Sequence, residues 1–337
     1  VYLAALAAER LGLPYGPPAA VSACRDKSRM RERFRAAGLK APDYFVVRAD
    51  EAPEACAGRA FYPCVLKPLG LSGSQGVIRA DTPSEFAAAF GRIRAILESA
   101  EIRRLREPMH RYIQVERYIP GREFALEGLV TEGKLQPLAL FDKPDPLEGP
   151  YFEETIYVTP SRQPAPVQEA IVAATQEAVR ALGLRHCPVH AEMRVNEEGV
   201  WMLEVAARPI GGLCARALRF DGGAALEEVV LRHACGEDVS EVRLAPGASG
   251  VMMIPVPRAG VYEGVEGVEA AGGVAGIEDV IITAAPGQRL LPLPEGSSYL
   301  GFLFARAACP AAVENALRVA HAKLAFRIAP GLPVLRA

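Results

Sequence analysis

Residues 187–208, Cys-Pro-Val-His-Ala-Glu-Met-Arg-Val-Asn-Glu-Glu-Gly-Val-Trp-Met-Leu-Glu-Val-Ala-Ala-Arg, constrain this chain more than any other stretch. Apolar side chains recur at Val189, Ala191, Met193 and Val195, and again at Trp201, Leu203 and Val205 beyond Gly199. A period of two marks half-buried strands, and Glu197-Glu198-Gly199 marks the turn between them. A three-residue loop with Gly199 in the left-handed region pairs Asn196 with Val200, so that 193 faces 203 and 192 faces 204. All the apolar side chains then share one face, while His190, Glu192, Arg194, Glu204 and Arg208 share the other. A slip of one residue would mix the two sets.

Directly opposed side chains have Cβ atoms about 4.5–5.5 Å apart, and two carboxylates that close repel unless a cation or proton lies between them. Oxygen ligands without cysteine favour Mg²⁺, which takes one or two carboxylates together with phosphate oxygens. His190, two residues along, would suit a softer metal. Two solvated glutamates on an exposed sheet face fit the same pattern, so the hairpin alone does not choose.

The 337 residues suffice for about two domains with a real core. With 38 basic against 40 acidic residues, the net charge of −2 and its dispersal give no footprint for nucleic acid. Seven cysteines, at 24, 56, 64, 187, 214, 235 and 309, are odd in number and form no Cys-x-x-Cys pair. That usage suits reduced thiols in a cytoplasm and offers no zinc site. No stretch approaches the roughly 18–20 apolar residues of a membrane span, and no leader is visible, so a soluble protein without membrane partners is expected. The chain opens at Val1 in a helix already under way, which reads as a fragment without its true N-terminus.

Along the chain, residues 1–12 and 22–37 read as helices, each ended by a glycine, with Lys27 in the first turn of the second. Arg25, Arg29, Arg31 and Arg33 around it read as a solvated basic face. Next comes strand, loop, strand: Phe61 to Lys67, then Gly70-Leu-Ser72-Gly73-Ser74-Gln75-Gly76. Three glycines and two serines in seven residues let backbone N–H groups wrap an anion, with Lys67 adding a point charge at the strand end. The spacing matches neither a P-loop nor a dinucleotide fingerprint, and a plain flexible tip fits it too.

Residues 83–106 read as one helix and Tyr112–Ile119 as a strand, followed by Pro120-Gly121 and a second strand from Arg122. That arrangement either presents groups to a purine edge, with Glu116 accepting from an amino group, or is a plain hairpin. The Pro-rich stretch 134–160 reads as a long ordered loop suited to substrate recognition. A helix over 164–182 leads to the central hairpin, after which Arg208-Pro-Ile-Gly211-Gly212 turns the backbone. From about 247 short alternating runs and a helix over 310–326 read as a small α+β appendage.

Taken in order, Lys27, Lys67 with its glycine loop, Glu116, Glu123, Glu192, Glu204 and Arg208 resemble the ATP-grasp superfamily over about residues 20–220. Glu-Val-Ala-Ala-Arg-Pro at 204–209 resembles the Glu-x-Ala-Ala-Arg form of its L-amino-acid ligase branch. Pro-Leu-Pro-Glu-Gly-Ser-Ser-Tyr-Leu-Gly-Phe at 292–302 is similar to the final domain of that branch. The resemblance implies a mixed α+β and α/β fold in which two α+β subdomains grip ATP. Residues 1–22 would be the remnant of a Rossmann-like N-terminal domain and 23–62 a linker helix and strand. Residues 63–120 would form the small lid subdomain, 121–246 the large subdomain with the metal site, and 247–337 a small α+β C-terminal domain.

The resemblance also implies roles. Lys27 and Lys67 would bind ATP phosphates, Gly70, Ser72, Gly73, Ser74 and Gly76 would form the lid, Glu116 and Ile119 would meet adenine, and Glu123 the ribose. Glu192 and Glu204 would hold Mg²⁺, or Mn²⁺ in its place; Ala206 stands where many members carry an asparagine ligand, which leaves the number of ions open. Arg208 would hold the carboxylate or acyl phosphate beside Gly211 and Gly212, and Glu154 would receive a substrate ammonium. The implied activity is ATP-dependent joining of a carboxylic acid to an amine, one of them an amino acid, through an acyl phosphate. A carboxylase-like enzyme acting on bicarbonate and a nucleotide-binding module without turnover are the alternatives. A homodimer is also implied.

Overall fold

The computed structural model describes residues 1–331; the last six residues of the expected C-terminal domain, 332–337, lie outside the described residues. Three helices open the chain: α1 (Tyr2–Leu11), α2 (Pro18–Arg25) and α3 (Lys27–Ala36). The single helix expected over 22–37 is broken at Asp26, which is extended and accepts hydrogen bonds from the N–H groups of Ser28 and Arg29 at 3.0 and 3.2 Å. A side chain that satisfies orphan donors starts a new helix, and this one puts Lys27 at its first position.

The small subdomain follows as β1 (Tyr44–Arg48), α4 (Pro53–Ala57), β2 (Cys64–Pro68), β3 (Ile78–Ala80), α5 (Pro83–Leu97), α6 (Ala100–Leu105) and β4 (Tyr112–Arg117). The four strands form one antiparallel sheet in the order β1-β4-β2-β3, with Phe86, Phe90 and Ile93 packed on Leu66, Ile113 and Val115. The helix expected over 83–106 is two, because the Ser99 hydroxyl accepts from Ile102 N–H at 3.3 Å and caps the second.

Pro120-Gly121 passes the chain into another sheet, so the strands on either side are not a hairpin. The large subdomain contains β5 (Arg122–Thr131), β6 (Lys134–Asp142), β7 (Ile156–Thr159), α7 (Ala165–Leu182), β8 (His186–Asn196), β9 (Gly199–Ala206) and α8 (Leu226–Ala234). The stretch 134–160 is thus less irregular than its prolines suggest: strands take both ends and only 143–155 remains loop. Then come β10 (Ala248–Ile254), β11 (Gly260–Glu266), α9 (Val268–Gly272), β12 (Ile277–Ile282), β13 (Arg289–Leu290), β14 (Gly301–Ala307), α10 (Pro310–His321) and β15 (Ala325–Ala329). The helix expected to reach 326 stops at His321, and the residues after it form β15.

Strands from beyond residue 247 join the large sheet, whose order is β12-β14-β10-β7-β6-β5-β8-β9, while β13, β11 and β15 form a third, three-stranded sheet. One face of the large sheet packs on α2, α3 and α7 through Phe34, Ile171, Val179, Met193 and Val205. Its other face packs in part on α8 and the segment before it, through Phe141, Phe220, Leu226 and Val229, and in part lines a cleft that the small sheet also borders. No helix among the described residues is long and apolar enough to cross a membrane.

Candidate active site

Glu192 and Glu204 stand opposite each other in the β8–β9 ladder, but the ladder reaches them by another route than the expected three-residue loop. Only Glu197 and Glu198 turn the chain, and Asn196 pairs with Gly199, whose φ is 118°. Asn196 Oδ1 closes this turn by accepting from Glu198 N–H at 2.9 Å and from Trp201 Nε1–H at 3.2 Å. The register near the turn is therefore one residue off, with Met193 opposite Met202, and a bulge at Leu203 restores it before Glu204. A bulge re-aims the side chains it carries. Met202 is fully buried in the core, while Trp201 lies across from Arg194 and Leu203 lines the cleft beside Glu204, against the expectation that 201 and 203 would face the core.

The floor of the cleft on the large sheet is anionic. Glu123, Glu154 and Glu192 bring carboxylate oxygens within 4.8 Å of one another, and Lys143 sits among them. Its Nζ donates to Glu123 Oε1 at 2.9 Å, to Glu192 Oε1 at 3.0 Å, and to Glu154. Burial opposes the Lys143 charge, yet the three carboxylates hold its pKa well above the ordinary value. Burial, with repulsion from Glu192, pushes Glu154 up to about 7. The second oxygen of Glu123 accepts from Arg194 Nε at 2.9 Å, so the residue expected at the ribose is also a strut. Lys143 escaped the sequence reading. The available signal was its place as the one basic residue among five acids between 142 and 154.

The opposite wall is cationic. Glu116, at the centre of the small sheet, is bound by Arg31 Nη2 at 2.7 Å, Lys67 Nζ at 2.6 Å and Gln114 Nε2 at 2.7 Å. Burial alone would raise this carboxyl, but Arg31 and Lys67 bring it down to about 2. The carboxylate expected to meet adenine is thus already engaged, as the counter-ion of the basic wall. Arg31 is 2% exposed, not part of a solvated face; α3 turns it inward while Arg29 and Arg35 stay outside. Lys27 Nζ donates to the Leu71 carbonyl at 2.8 Å, and burial lowers its pKa.

The glycine-rich loop closes the cleft from above. Gly76, at φ 71°, leaves no room for a side chain, since a Cβ would lie 2.6 Å from Pro68 Cγ. Its N–H donates to Pro294 O at 2.9 Å, Gln75 Nε2 donates to Glu295 O at 2.8 Å, and Arg92 Nη2 donates to Glu295 Oε2 at 2.8 Å. A loop of the C-terminal region therefore holds the lid, and its Ser297, Ser298 and Tyr299 line the cleft; the resemblance noted for 292–302 gave this stretch no part in the site. The cleft measures about 600 Å³ and gathers Lys27, Lys67, Ser72, Gly73, Ser74, Glu116, Ile119, Glu123, Glu154, Glu192, Glu204, Arg208, Gly211 and Gly212. Gly70 and Gly76 are not among its lining; Gly70 borders a neighbouring cavity.

Donor chemistry at the hairpin fits a divalent cation. Glu192 Oε1 receives Lys143, Tyr157 Oη–H at 3.3 Å and His190 Nε2 at 3.3 Å. Among the described residues Glu192 Oε2 and both oxygens of Glu204 receive none, so three carboxylate oxygens remain for a metal. Among the described residues the Arg208 guanidinium makes one bond, from Nη1 to Pro209 O at 2.8 Å, at the end of the same hairpin.

A model of the ATP-grasp domain matches residues 60–217, and a model of the L-amino acid ligase C-terminal domain 2 matches 252–329. Alanine–anticapsin ligase of Bacillus subtilis (strain 168) is 30% identical over 223 residues, which are 61% of this chain and 46% of that one. The chain thus spans about half the length of this relative. The crystal structure of L-amino acid ligase from Bacillus licheniformis superimposes with a TM-score of 0.82 at 28% identity, over 97% of this chain and 79% of the other. The biotin carboxylase domain of Hydrogenobacter thermophilus 2-oxoglutarate carboxylase, solved with MgADP and bicarbonate, shares the fold at a TM-score of 0.68. It is 17% identical, over 97% of this chain and 72% of that one.

Proposed function

The chain belongs to the ATP-grasp superfamily, in its L-amino acid ligase branch, and from that premise we propose that it joins a carboxylic acid to an amine at the expense of ATP, with an amino acid as one substrate. The observation that carries this reading is the polarity of the cleft: a cationic wall of Lys27 and Lys67, backed by the buried Arg31, faces an anionic floor of Glu192, Glu204 and Glu154, with Arg208 in the same lining. Kinship with alanine–anticapsin ligase supports amide formation, and the room left by Gly211 and Gly212 favours an acid larger than bicarbonate.

Lys27, Lys67 and the N–H groups of the 70–76 loop hold the triphosphate, and the hinge at Ile119 and Glu123 meets the nucleoside. Glu192 and Glu204 hold Mg²⁺, or Mn²⁺, which when bound offsets phosphate charge and orients the γ-phosphoryl group. A substrate carboxylate oxygen attacks the γ-phosphorus, the β–γ bridge breaks, and ADP leaves. The amine nitrogen then attacks the acyl carbon of the acyl phosphate, inorganic phosphate departs, and the nitrogen gives up a proton. Arg208 holds the carboxylate and afterwards the oxyanion of the tetrahedral intermediate, where a preorganised cation acts only as charge develops. Glu154 receives a substrate ammonium, and the latched lid keeps water from the acyl phosphate. The cytoplasmic location and the homodimer implied by the resemblance belong to the same proposal.

The test is phosphate release from Mg-ATP with a panel of amino acids, singly and in pairs, using the full-length chain. Release that needs two amino acids, with a dipeptide mass, is the expected result. Release with bicarbonate alone would replace the reading by the carboxylase-like one, and nucleotide binding without turnover under every pair would favour the binding module.

A further inference from the structure

Beside the carboxylates of the anionic floor stands a pair of ionisable residues that the proposed chemistry leaves unused, His190 at the cleft surface and Glu127 behind it. Glu127 on β5 stands directly opposite His190 on β8, and the two are 1% and 8% exposed. Glu127 Oε1 bonds His190 Nδ1, and Glu127 Oε2 accepts the Ile210 N–H at 3.1 Å. His190 Nε2 reaches Glu192 Oε1 at 3.3 Å. A continuous chain of hydrogen bonds therefore runs from the backbone of the 208–212 turn, through Glu127 and His190, to Glu192.

We infer that Glu127 and His190 are positioning residues that couple the turn carrying Arg208 to the orientation of the Glu192 carboxylate. This rests on the reading of Glu192 as a metal ligand. The physical case has two parts. A buried ion pair is poor value as a source of stability, since apolar side chains of similar volume often serve as well or better, so its presence asks for a geometric reason. That reason is visible at both ends. All three donors to Glu192 converge on Oε1, which fixes the rotation of the carboxylate and leaves Oε2 for a metal beside Glu204. At the other end Ile210 lies two residues after Arg208 and directly before Gly211-Gly212, where no side chain anchors the backbone; the bond to Glu127 supplies the anchor. Partners behind a metal ligand typically change affinity or activity 10–100-fold when removed.

The experiment compares three variants of the full-length chain: Glu127→Gln, His190→Leu, and the double replacement Glu127→Leu with His190→Phe. An amide at 127 cannot accept from both Ile210 N–H and His190 Nδ1–H, and keeps both contacts only by donating to a neutral His190 whose proton sits on Nε2, so it weakens the chain of bonds; the apolar pair fills the volume and removes it. Mn²⁺ affinity in the presence of ATP is read by electron paramagnetic resonance, alongside melting temperature and separate kcat and KM values. The expected result is a roughly tenfold or greater loss of Mn²⁺ affinity and of kcat in His190→Leu and in the double variant, a smaller loss in Glu127→Gln, KM for ATP within about twofold, and no greater loss in the double variant than in His190→Leu. The apolar pair orphans the Ile210 N–H and should melt somewhat lower than the unmodified protein, so affinity and kcat are compared well below its melting temperature. An apolar pair that keeps Mn²⁺ affinity and kcat within about twofold would overturn the inference, as would losses that simply track melting temperature. If the unmodified protein binds Mn²⁺ through Glu204 yet joins no amino acids, the ligase reading fails while the Mn²⁺ comparison still decides this one.

Discussion

Two buried clusters of charge face each other across the cleft, built from the same parts in opposite proportion. On the small sheet one carboxylate, Glu116, is shared by two cations, Arg31 and Lys67, with Lys27 close by. On the large sheet one lysine, Lys143, is shared by three carboxylates, with Glu204 beside them. The central ion in each case keeps the excess from flying apart, and the sign of the excess fixes what the wall attracts. Surplus cations suit phosphate oxygens; surplus carboxylates suit a metal and an ammonium. Glu116 and Glu154 register the difference directly, one carboxyl brought down to about 2 and the other up to about 7.

If the central ions carry that balance, removing them should cost most where the excess is least compensated. Lys143→Met leaves three carboxylates facing one another and should lower the unfolding free energy by about 3–5 kcal/mol in urea titrations. Arg31→Met should cost less, about 2 kcal/mol, because Lys67 still neutralises Glu116. Equal costs would mean that the two clusters do not differ in the way described.

The next effect is one of pH. Burial and the neighbouring Glu192 raise Glu154 from 4.5 to about 7, so the folded state holds this proton more tightly than the unfolded chain does. Its contribution is fully present below pH 4.5 and is lost as pH rises through about 7, a total of roughly 3 kcal/mol at 1.36 kcal/mol per unit. Glu116 has the opposite sign: its contribution is present above 4.5 and is lost as pH falls toward 2. Melts of the unmodified protein and of Glu154→Gln between pH 5 and 8 should converge at low pH and separate as pH rises, with the variant more stable. Curves that stay parallel would remove Glu154 from the comparison.

Much of the anionic floor was legible in the sequence because alternation and a glycine turn place Glu192 against Glu204. Even there the turn was misjudged. The Asn196 amide closes a two-residue loop, and the bulge at Leu203 cancels the error before it reaches the site. A parity argument sees one register and has no means of seeing two shifts that compensate. The cationic wall was half legible: Lys67 announces itself beside the glycine loop, whereas Arg31 is one of six basic residues between 25 and 35 and only the pitch of α3, set by the Asp26 cap, turns it inward. Lys143 and the 294–299 loop were hidden for another reason. Each enters the site through contacts far apart in sequence, such as Gly76 with Pro294, and local pattern carries no record of these.

The smallest expected effect on stability belongs to the residue expected to matter most to the metal. Glu204 accepts no hydrogen bond among the described residues, and its charge is favoured by Lys27 and opposed by Glu192 across the ladder, so Glu204→Gln removes one attraction and one repulsion without orphaning a donor. Its unfolding free energy should stay within about 0.5 kcal/mol of the unmodified protein, or rise slightly. Metal binding should respond very differently, because a neutral amide oxygen replaces one of the two anionic ligands. Titration with Mn²⁺ in the presence of ATP should show at least about a tenfold loss of affinity, and Mg-dependent phosphate release should disappear. Lys143→Met and Glu204→Gln thus pull the two properties of one wall apart, the first lowering stability and the second metal binding. A Glu204→Gln protein that still turns over with Mg²⁺ would show that the surplus carboxylates serve some other cation, with the ammonium at Glu154 the first to examine.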